Sequence, residues 1–304
     1  MSGQILKRGP SVTLVPAGRS SGVVKDIKDL LNSRELLAAL LGRELAGKYK
    51  GSFLGIGWTL VRPLVMLFIY AVVIGEFLGA SRSISNFAIF VLVGLLFWNL
   101  ISDSINMGSV SMTMNSTLLK KVWFPREVLP LTSFAVASVH FLVQLLVLIF
   151  AYAIFGTWPN LNSLLYLIPT VLIAFPVAFG LSLIFSVLNV RFRDTQYIVE
   201  VGLVLSFWLS PVVYPWIAAH QFLASLPFGN IIQQIYLANP FGLVVMGAQQ
   251  ALWPPINSTR GQSLQFFDSP FSTRLWLSVF ASWVFLYFAQ RLFARMAGTV
   301  VVDL

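Results

Sequence analysis

Residues 128–155 read VLPLTSFAVASVHFLVQLLVLIFAYAIF, and this stretch, which contains no Asp, Glu, Lys or Arg, decides the fold. An apolar run longer than about 18 residues is typical of a helix that crosses a membrane. The whole chain agrees, because 57% of its 304 residues are hydrophobic and only 10% are charged, whereas soluble domains carry roughly 25% charged residues. Barrel strands alternate polar and apolar residues, and these runs do not. The sequence therefore predicts an all-α polytopic membrane protein.

Further apolar runs lie on both sides of this one. We predict six transmembrane helices, at residues 58–79, 86–108, 128–155, 163–188, 195–216 and 272–293. The flanking segments are a flexible cytoplasmic tail (1–25), an amphipathic helix at the cytoplasmic interface (26–57) and a cytoplasmic C-terminus (294–304). The external connection 217–271 is unusually apolar for a loop, which predicts short re-entrant helices that protein or a water-filled cavity surrounds.

The distribution of basic residues orients these spans. Seventeen of the twenty Lys and Arg residues fall in segments that the six spans place on one side. Cytoplasmic loops carry an excess of Lys and Arg, so we expect both termini in the cytoplasm of a bacterium, on the inner membrane. Topology also explains the net charge of +9 better than nucleic-acid binding does, and we expect no nucleic-acid partner.

Residues 42–49, GRELAGKY, resemble the phosphate-binding loop G-x-x-x-x-G-K-[ST] but are not expected to bind a nucleotide. Such a loop needs a preceding strand and a Ser or Thr hydroxyl for Mg²⁺, whereas this stretch reads as a helix and ends in Tyr49. The basic helix instead predicts one of two roles, a membrane-surface anchor or a collar for the anionic head group of a lipid-linked substrate. The collar residues would be Arg43, Lys48, Lys50 and Arg62.

Five motifs carry a resemblance to a known family. They are RELAGKYKGSFLGIGWTLVRPLVMLFIY (43–70), FVLVGLLFWN (90–99), LLKKVWFPREVLPL (118–131), LNVRFRDTQYIVEVGLVLSFWLSPVVYP (188–215) and LANPF (237–241). The chain resembles permease subunits of type-2 ABC exporters of polysaccharides such as O-antigen and teichoic acid. The resemblance implies a homodimer that carries two soluble ATPase subunits. These partners bind the ATP and Mg, so no cofactor, metal or catalytic residue is expected in this chain.

A polysaccharide needs a polar path through the bilayer, because burying an unsatisfied hydroxyl costs roughly 1–3 kcal/mol. The second predicted span offers Asp103 and Asn106 on a polar half that could equally be a helix end entering water. Aromatic rings suit stacking against sugars, although most of them belong to the core or the interface belt. The aromatic candidates for the channel wall are Phe97, Trp98, Phe207, Trp208 and Tyr214.

The loop after the second span predicts the contact with the ATPase. A short helix with exposed apolar side chains can dock in a partner's groove, whereas the alternative is a plain basic loop. The predicted contact comprises Leu118, Leu119, Lys120, Lys121, Val122, Trp123, Phe124, Pro125, Arg126 and Glu127. A smaller second contact is predicted at Arg191, Arg193 and Asp194.

Two other functions compete with ATP-driven export. An ion-coupled secondary transporter would need paired charges or broken helices near the midplane, and none of the acids Glu76, Asp103 and Glu200 has an evident cationic partner at matching depth. A membrane glycosyltransferase would need a D-x-D metal pair, which the sequence lacks. An ATP-driven exporter is therefore favoured, with the ion-coupled transporter as its alternative.

Overall fold

The computed structural model describes residues 33–53, 55–82, 84–122, 124–253 and 271–298. The described part is helical and contains no strand, which confirms the predicted all-α class. In chain order the helices are α1 (Arg34–Tyr49), α2 (Trp58–Ile69), α3 (Phe87–Met114), α4 (Ser116–Lys121), α5 (Val128–Phe155), α6 (Leu167–Arg191), α7 (Thr195–Trp208), α8 (Trp216–Ala224), α9 (Gly229–Leu237), α10 (Pro240–Leu252) and α11 (Phe271–Ala297). A π-helical segment, Tyr70–Phe77, continues α2. The predicted tail (1–25) and most of the external segment 254–271 lie outside the described residues.

Five helical stretches of the described chain are long and apolar enough to cross a membrane, and a sixth is added if α9 and α10 form one broken span. The five are Trp58–Phe77, Phe87–Met114, Val128–Phe155, Ser163–Arg191 and Phe271–Ala297. They correspond to five of the predicted spans. A chain with several such helices is a multi-pass membrane protein.

The predicted fifth span, 195–216, is shorter in the structure. Its helix α7 has 14 residues, or about 21 Å at 1.5 Å per residue, against the ~30 Å of a hydrocarbon core. The helix ends at Trp208, and Pro211 and Pro215 follow in the turn that leads to α8. Proline disfavours helical backbone in the residue before it, which explains the early end.

The region after α8 contains the short helices that the apolar loop predicted. Helices α9 and α10 meet at an angle of 75° across a short break. Asn239 begins the second helix, because its side chain accepts a hydrogen bond from the Phe241 amide at 3.0 Å, and Pro240 occupies the first turn. Proline is favoured there, where its missing N–H costs nothing.

Helix α3 lies at the centre of the molecule and packs mainly against α5 and α6, while α11 covers the other side of α6. Gly108 of α3 allows the close approach to α6, since a Cβ there would lie 2.5 Å from the Ser182 Cβ. The Ser182 hydroxyl also donates to the Ser104 carbonyl at 2.9 Å. Small residues and interhelical hydrogen bonds are what hold helices together in membranes.

Helix α1, which falls in the predicted interface segment 26–57, is packed on protein. Leu40 is buried in a hydrophobic cluster that also contains Leu119 and Phe124. The Arg43 guanidinium donates to the Asn115 side-chain oxygen, at the junction between α3 and α4. The helix is therefore joined to the α3–α4 junction by a hydrogen bond and shares an apolar cluster with α4.

Candidate functional site: a polar cavity and a cytoplasmic coupling segment

A cavity of about 730 Å³ lies between α2, α3, α5 and α7. This volume falls within the roughly 300–1,000 Å³ typical of small-molecule sites. One side of the cavity is polar and another is aromatic, so it offers two kinds of contact to an occupant.

The polar side comes from α3 and α5. Asn99, Ser102, Asp103 and Asn106 line the cavity from α3, because residues at i, i+3, i+4 and i+7 share one face of a helix. His140 and Gln144 line it from α5, and they also lie one turn apart. The predicted channel residues Asp103 and Asn106 therefore face this cavity together.

Two pairs bridge α3 and α5 within this polar side. The Asn99 amide nitrogen donates to the Gln144 side-chain oxygen at 3.1 Å. The His140 Nδ1 lies 3.8 Å from an Asp103 carboxylate oxygen. Asp103 thus has the imidazole of His140 as a neighbour on α5, whereas the sequence showed no evident cationic partner for it. Matching it to His140 required knowing which faces of α3 and α5 meet.

The aromatic side comes from the π-helical segment after α2, from α3 and from α7, where Tyr70, Trp98, Phe207 and Trp208 line the cavity. The rings of Trp98 and Phe207 meet edge to face with centroids 5.4 Å apart, and Tyr70 stacks on Phe207 at 6.0 Å. Each ring is held by its neighbours, so the aromatic wall is preorganised. Trp98, Phe207 and Trp208 were predicted for the channel wall.

Two predicted channel residues do not line the cavity. Phe97 points into the core, where it is 1% exposed and packs edge to face on Phe141 at 5.1 Å. Tyr214 lies in the turn after α7, and its hydroxyl donates to the Trp208 carbonyl at 2.7 Å and contacts the Tyr236 hydroxyl. Neither residue lines the cavity, because Phe97 packs against α5 and Tyr214 fixes the turn, and their place in a channel wall stays a prediction.

The predicted collar residues separate in the structure. Lys48 lines the cavity, and Lys50 is exposed. Arg43 instead contacts Asn115 and lies 3.4 Å from the Glu44 carboxylate. The side chain of Arg62 lies outside the described part of the chain. Of the described collar residues, Lys48 is therefore the one that the structure brings to the cavity.

The predicted coupling segment is only partly exposed. Lys120, Lys121 and Val122 face outward, with Val122 52% exposed. Leu119 and Phe124 are each 8% exposed and belong to the protein's own core. The prediction that these two side chains dock in the ATPase is wrong, because both are buried in this chain's own core and anchor the segment there.

The remaining coupling residues are distributed around this anchor. Leu118, Pro125, Arg126 and Glu127 are half-buried, and Trp123 lies outside the described residues. Burial lowers the pKa of the Arg126 guanidinium, and the neighbouring Glu127 carboxylate opposes that shift. The second predicted contact, Arg191, Arg193 and Asp194, is exposed.

Comparison with known proteins decides the family. A sequence model of the ABC-2 type transporter family matches residues 35–253, which include every helix around the cavity. The chain belongs to the ABC-2 type transporter family. This confirms the resemblance seen in the five motifs and makes the chain a membrane component of a transporter.

Two curated relatives of this ABC-2 family member are both called O-antigen export system permease protein RfbA. The protein from Myxococcus xanthus is 34% identical over 193 residues, which cover 64% of this chain and 73% of the relative. The protein from Klebsiella pneumoniae is 32% identical over 202 residues, which cover 63% of this chain and 77% of the relative. The ABC-2 chain is thus similar to named exporters over most of their length.

Sequence reasoning missed Asn99, His140, Gln144 and Tyr70 as cavity residues of this ABC-2 protein. Each is an isolated polar or aromatic residue in an apolar run, which carries no signal by itself. The useful signal was the spacing of Asn99, Asp103 and Asn106 along one helix face. In the described ranges, His, Asp and Glu side chains form no group of three that could hold a metal ion.

Proposed function

We propose that this chain is the membrane-spanning permease of an ATP-driven exporter that moves a lipid-linked polysaccharide, of the O-antigen kind, across the cytoplasmic membrane. Membership of the ABC-2 family and similarity to named O-antigen export permeases support the substrate class. The observation that carries the proposal is the cavity, because its lining suits a sugar polymer.

A sugar ring has hydroxyl groups at its edge and C–H groups on its faces. The cavity offers amide, hydroxyl and carboxylate groups on α3 and α5, and aromatic rings on α2, α3 and α7. Hydrogen bonds to the hydroxyls offset the cost of taking them out of water, while the rings pack against the C–H faces. A cavity for a purely apolar lipid would not require the polar side.

The energy for transport comes, in this proposal, from a separate soluble ATPase that binds the ATP and Mg²⁺. Two permease copies and two ATPase copies form the transporter, and both permease termini lie in the cytoplasm. The ATPase contacts the exposed Lys120, Lys121 and Val122 at the end of α4, together with the exposed loop between α6 and α7 at Arg193 and Asp194. Core packing of Leu119 and Phe124 holds this segment against the rest of the chain.

Depleting the chain in its own cells tests the proposal. We expect the polymer to accumulate in the cytoplasm while its synthesis continues. Export should return when the chain is supplied again. In cells with a proton gradient but no ATP, export should stop. Export that continues under those conditions would contradict the ATP-driven function and favour an ion-coupled transporter.

A further inference from the structure

Four side chains connect α3 and α5 across the polar side of the cavity, and we call them the polar rungs. One rung is the Asn99–Gln144 hydrogen bond of 3.1 Å, and the other is the Asp103–His140 contact of 3.8 Å. Gln144 is 4% and His140 is 5% exposed. All four residues line the cavity.

Burying polar side chains inside membrane-spanning helices costs free energy, so we expect the rungs to have a function. Asp103 lies eleven residues before the cytoplasmic end of α3, or about 16 Å from it, and His140 lies about 18 Å along α5. Both residues therefore lie well inside helices that are long and apolar enough to cross a ~30 Å hydrocarbon layer. Ionisable residues at such a depth are rare, face a cavity or a partner, and mark substrate paths.

The geometry of the rungs fits a sugar ring better than an ion. The two rungs are one helical turn apart, about 6 Å, which is comparable with the separation of hydroxyl groups across a pyranose. A mutual hydrogen bond between two amides uses one donor and one acceptor, although each amide has two N–H groups and two lone pairs. Hydrogen-bonding capacity therefore remains for a ligand.

The aromatic wall lies next to the rungs. Trp98 precedes Asn99 on α3, and its ring meets Phe207 at 5.4 Å. A sugar held at the rungs therefore has a ring face within reach, and stacking suits the C–H face of a pyranose. Polar rungs and an aromatic wall together select a hydroxyl-rich ring over a lipid chain or a bare ion.

We propose that the polar rungs form a sugar-binding subsite, in which Asn99, Asp103, His140 and Gln144 hydrogen-bond one sugar of the polymer within the membrane-spanning helices. The inference rests on the proposed export of a polysaccharide and adds where, and by which groups, the polymer is recognised. The competing explanation is that the rungs only hold α3 and α5 together, as polar pairs do in other membrane proteins.

The subsite is tested with the chain and its ATPase reconstituted in lipid nanodiscs. The probe is lipid-linked polymer extracted from the cells that make this protein, and the readout is its half-saturating concentration for stimulating ATP hydrolysis. The variants are Gln144→Leu and the double variant Asn99→Leu with Gln144→Leu. Ser138→Ala is the matched control, because Ser138 also lies on α5 but bonds the Phe134 carbonyl at 2.8 Å and does not line the cavity.

The double variant separates the two explanations. Replacing both hydrogen-bonding partners by apolar groups is nearly neutral for stability, so helix packing is kept while the sugar contacts are lost. We expect both Leu variants to raise the half-saturating concentration at least about tenfold, more than they lower the maximal rate, and the control to stay within about twofold.

Two results would overturn the inference in distinguishable ways. A double variant with the wild-type half-saturating concentration would show that the rungs serve packing alone, with the proposed export intact. A wild-type complex that the polymer fails to stimulate would contradict the export function itself, and the subsite with it.

Discussion

Phe124 and Val122 lie two residues apart in the coupling segment but face opposite ways. Phe124 is 8% exposed in the core, whereas Val122 is 52% exposed. We expect Phe124→Ala to lower the free energy of unfolding by about 3 kcal/mol, because a large buried ring leaves a cavity. Thermal unfolding of the purified protein in detergent measures this.

Val122→Asp tests the exposed side of the same segment. A substitution at an exposed position should leave the free energy of unfolding within about 0.5 kcal/mol, while capture of the ATPase falls about tenfold or more. If Val122→Asp leaves ATPase affinity unchanged, the exposed surface of α4 is not the docking surface.

Gly108 sets the distance between α3 and α6. Because an added Cβ would lie 2.5 Å from that of Ser182, we expect Gly108→Ala to cost about 1–3 kcal/mol of stability through overpacking. Gly42→Ala in α1 is the control, since nothing lies within 4 Å of its added Cβ and alanine favours helix by about 1 kcal/mol. Equal stability of the two variants would show that Gly108 does not set the distance between α3 and α6.

The sequence predicted residues of the cavity best where they repeat along one helix. Asp103 and Asn106 stand out on α3, and Trp98, Phe207 and Trp208 follow from their ring chemistry; all five line the cavity. His140 and Gln144 could not be found in this way. The role of these two residues depends on which face of α5 packs against α3. Packing between helices that are far apart in the chain determines that face.

At the scale of elements, α1 is joined to the α3–α4 junction. Arg43→Ala and Asn115→Ala should each increase protease cleavage of α1, because each removes the same hydrogen bond. In the double variant, protease cleavage of α1 should be no greater than in the more affected single variant. This corresponds to a coupling energy of about 1 kcal/mol between the two side chains. Arg34→Ala, exposed on the same helix, is the control. Strictly additive effects in the double variant would show that the two side chains act independently.

An element boundary matches the prediction where Glu127 precedes the apolar run and Gly156 follows it, and differs where prolines lie within the predicted span. Val128–Phe155 has the predicted bounds. The fifth span differs because hydropathy continues past Trp208, although Pro211 and Pro215 already stop the helix. Hydropathy indicates that a segment avoids water. A short bent helix can avoid water as well as a straight membrane-spanning helix can.

At the scale of the molecule, sidedness is tested by labelling single cysteines, which the cysteine-free sequence allows. We chose Lys121→Cys for the cytoplasmic side and Leu161→Cys, 80% exposed between α5 and α6, for the outside. In intact spheroplasts an impermeant maleimide should label the second variant and spare the first until the membrane is broken. The reverse pattern would invert the proposed topology.

The central claim is that the cavity carries a sugar polymer through the membrane with energy from a separate ATPase. It is tested most directly by sealed vesicles that contain the purified chain and the ATPase, in which ATP-dependent movement of lipid-linked polymer to the opposite leaflet is measured. We predict movement only when chain, ATPase and ATP are all present. Equal movement with the chain alone, without ATPase or ATP, would contradict it.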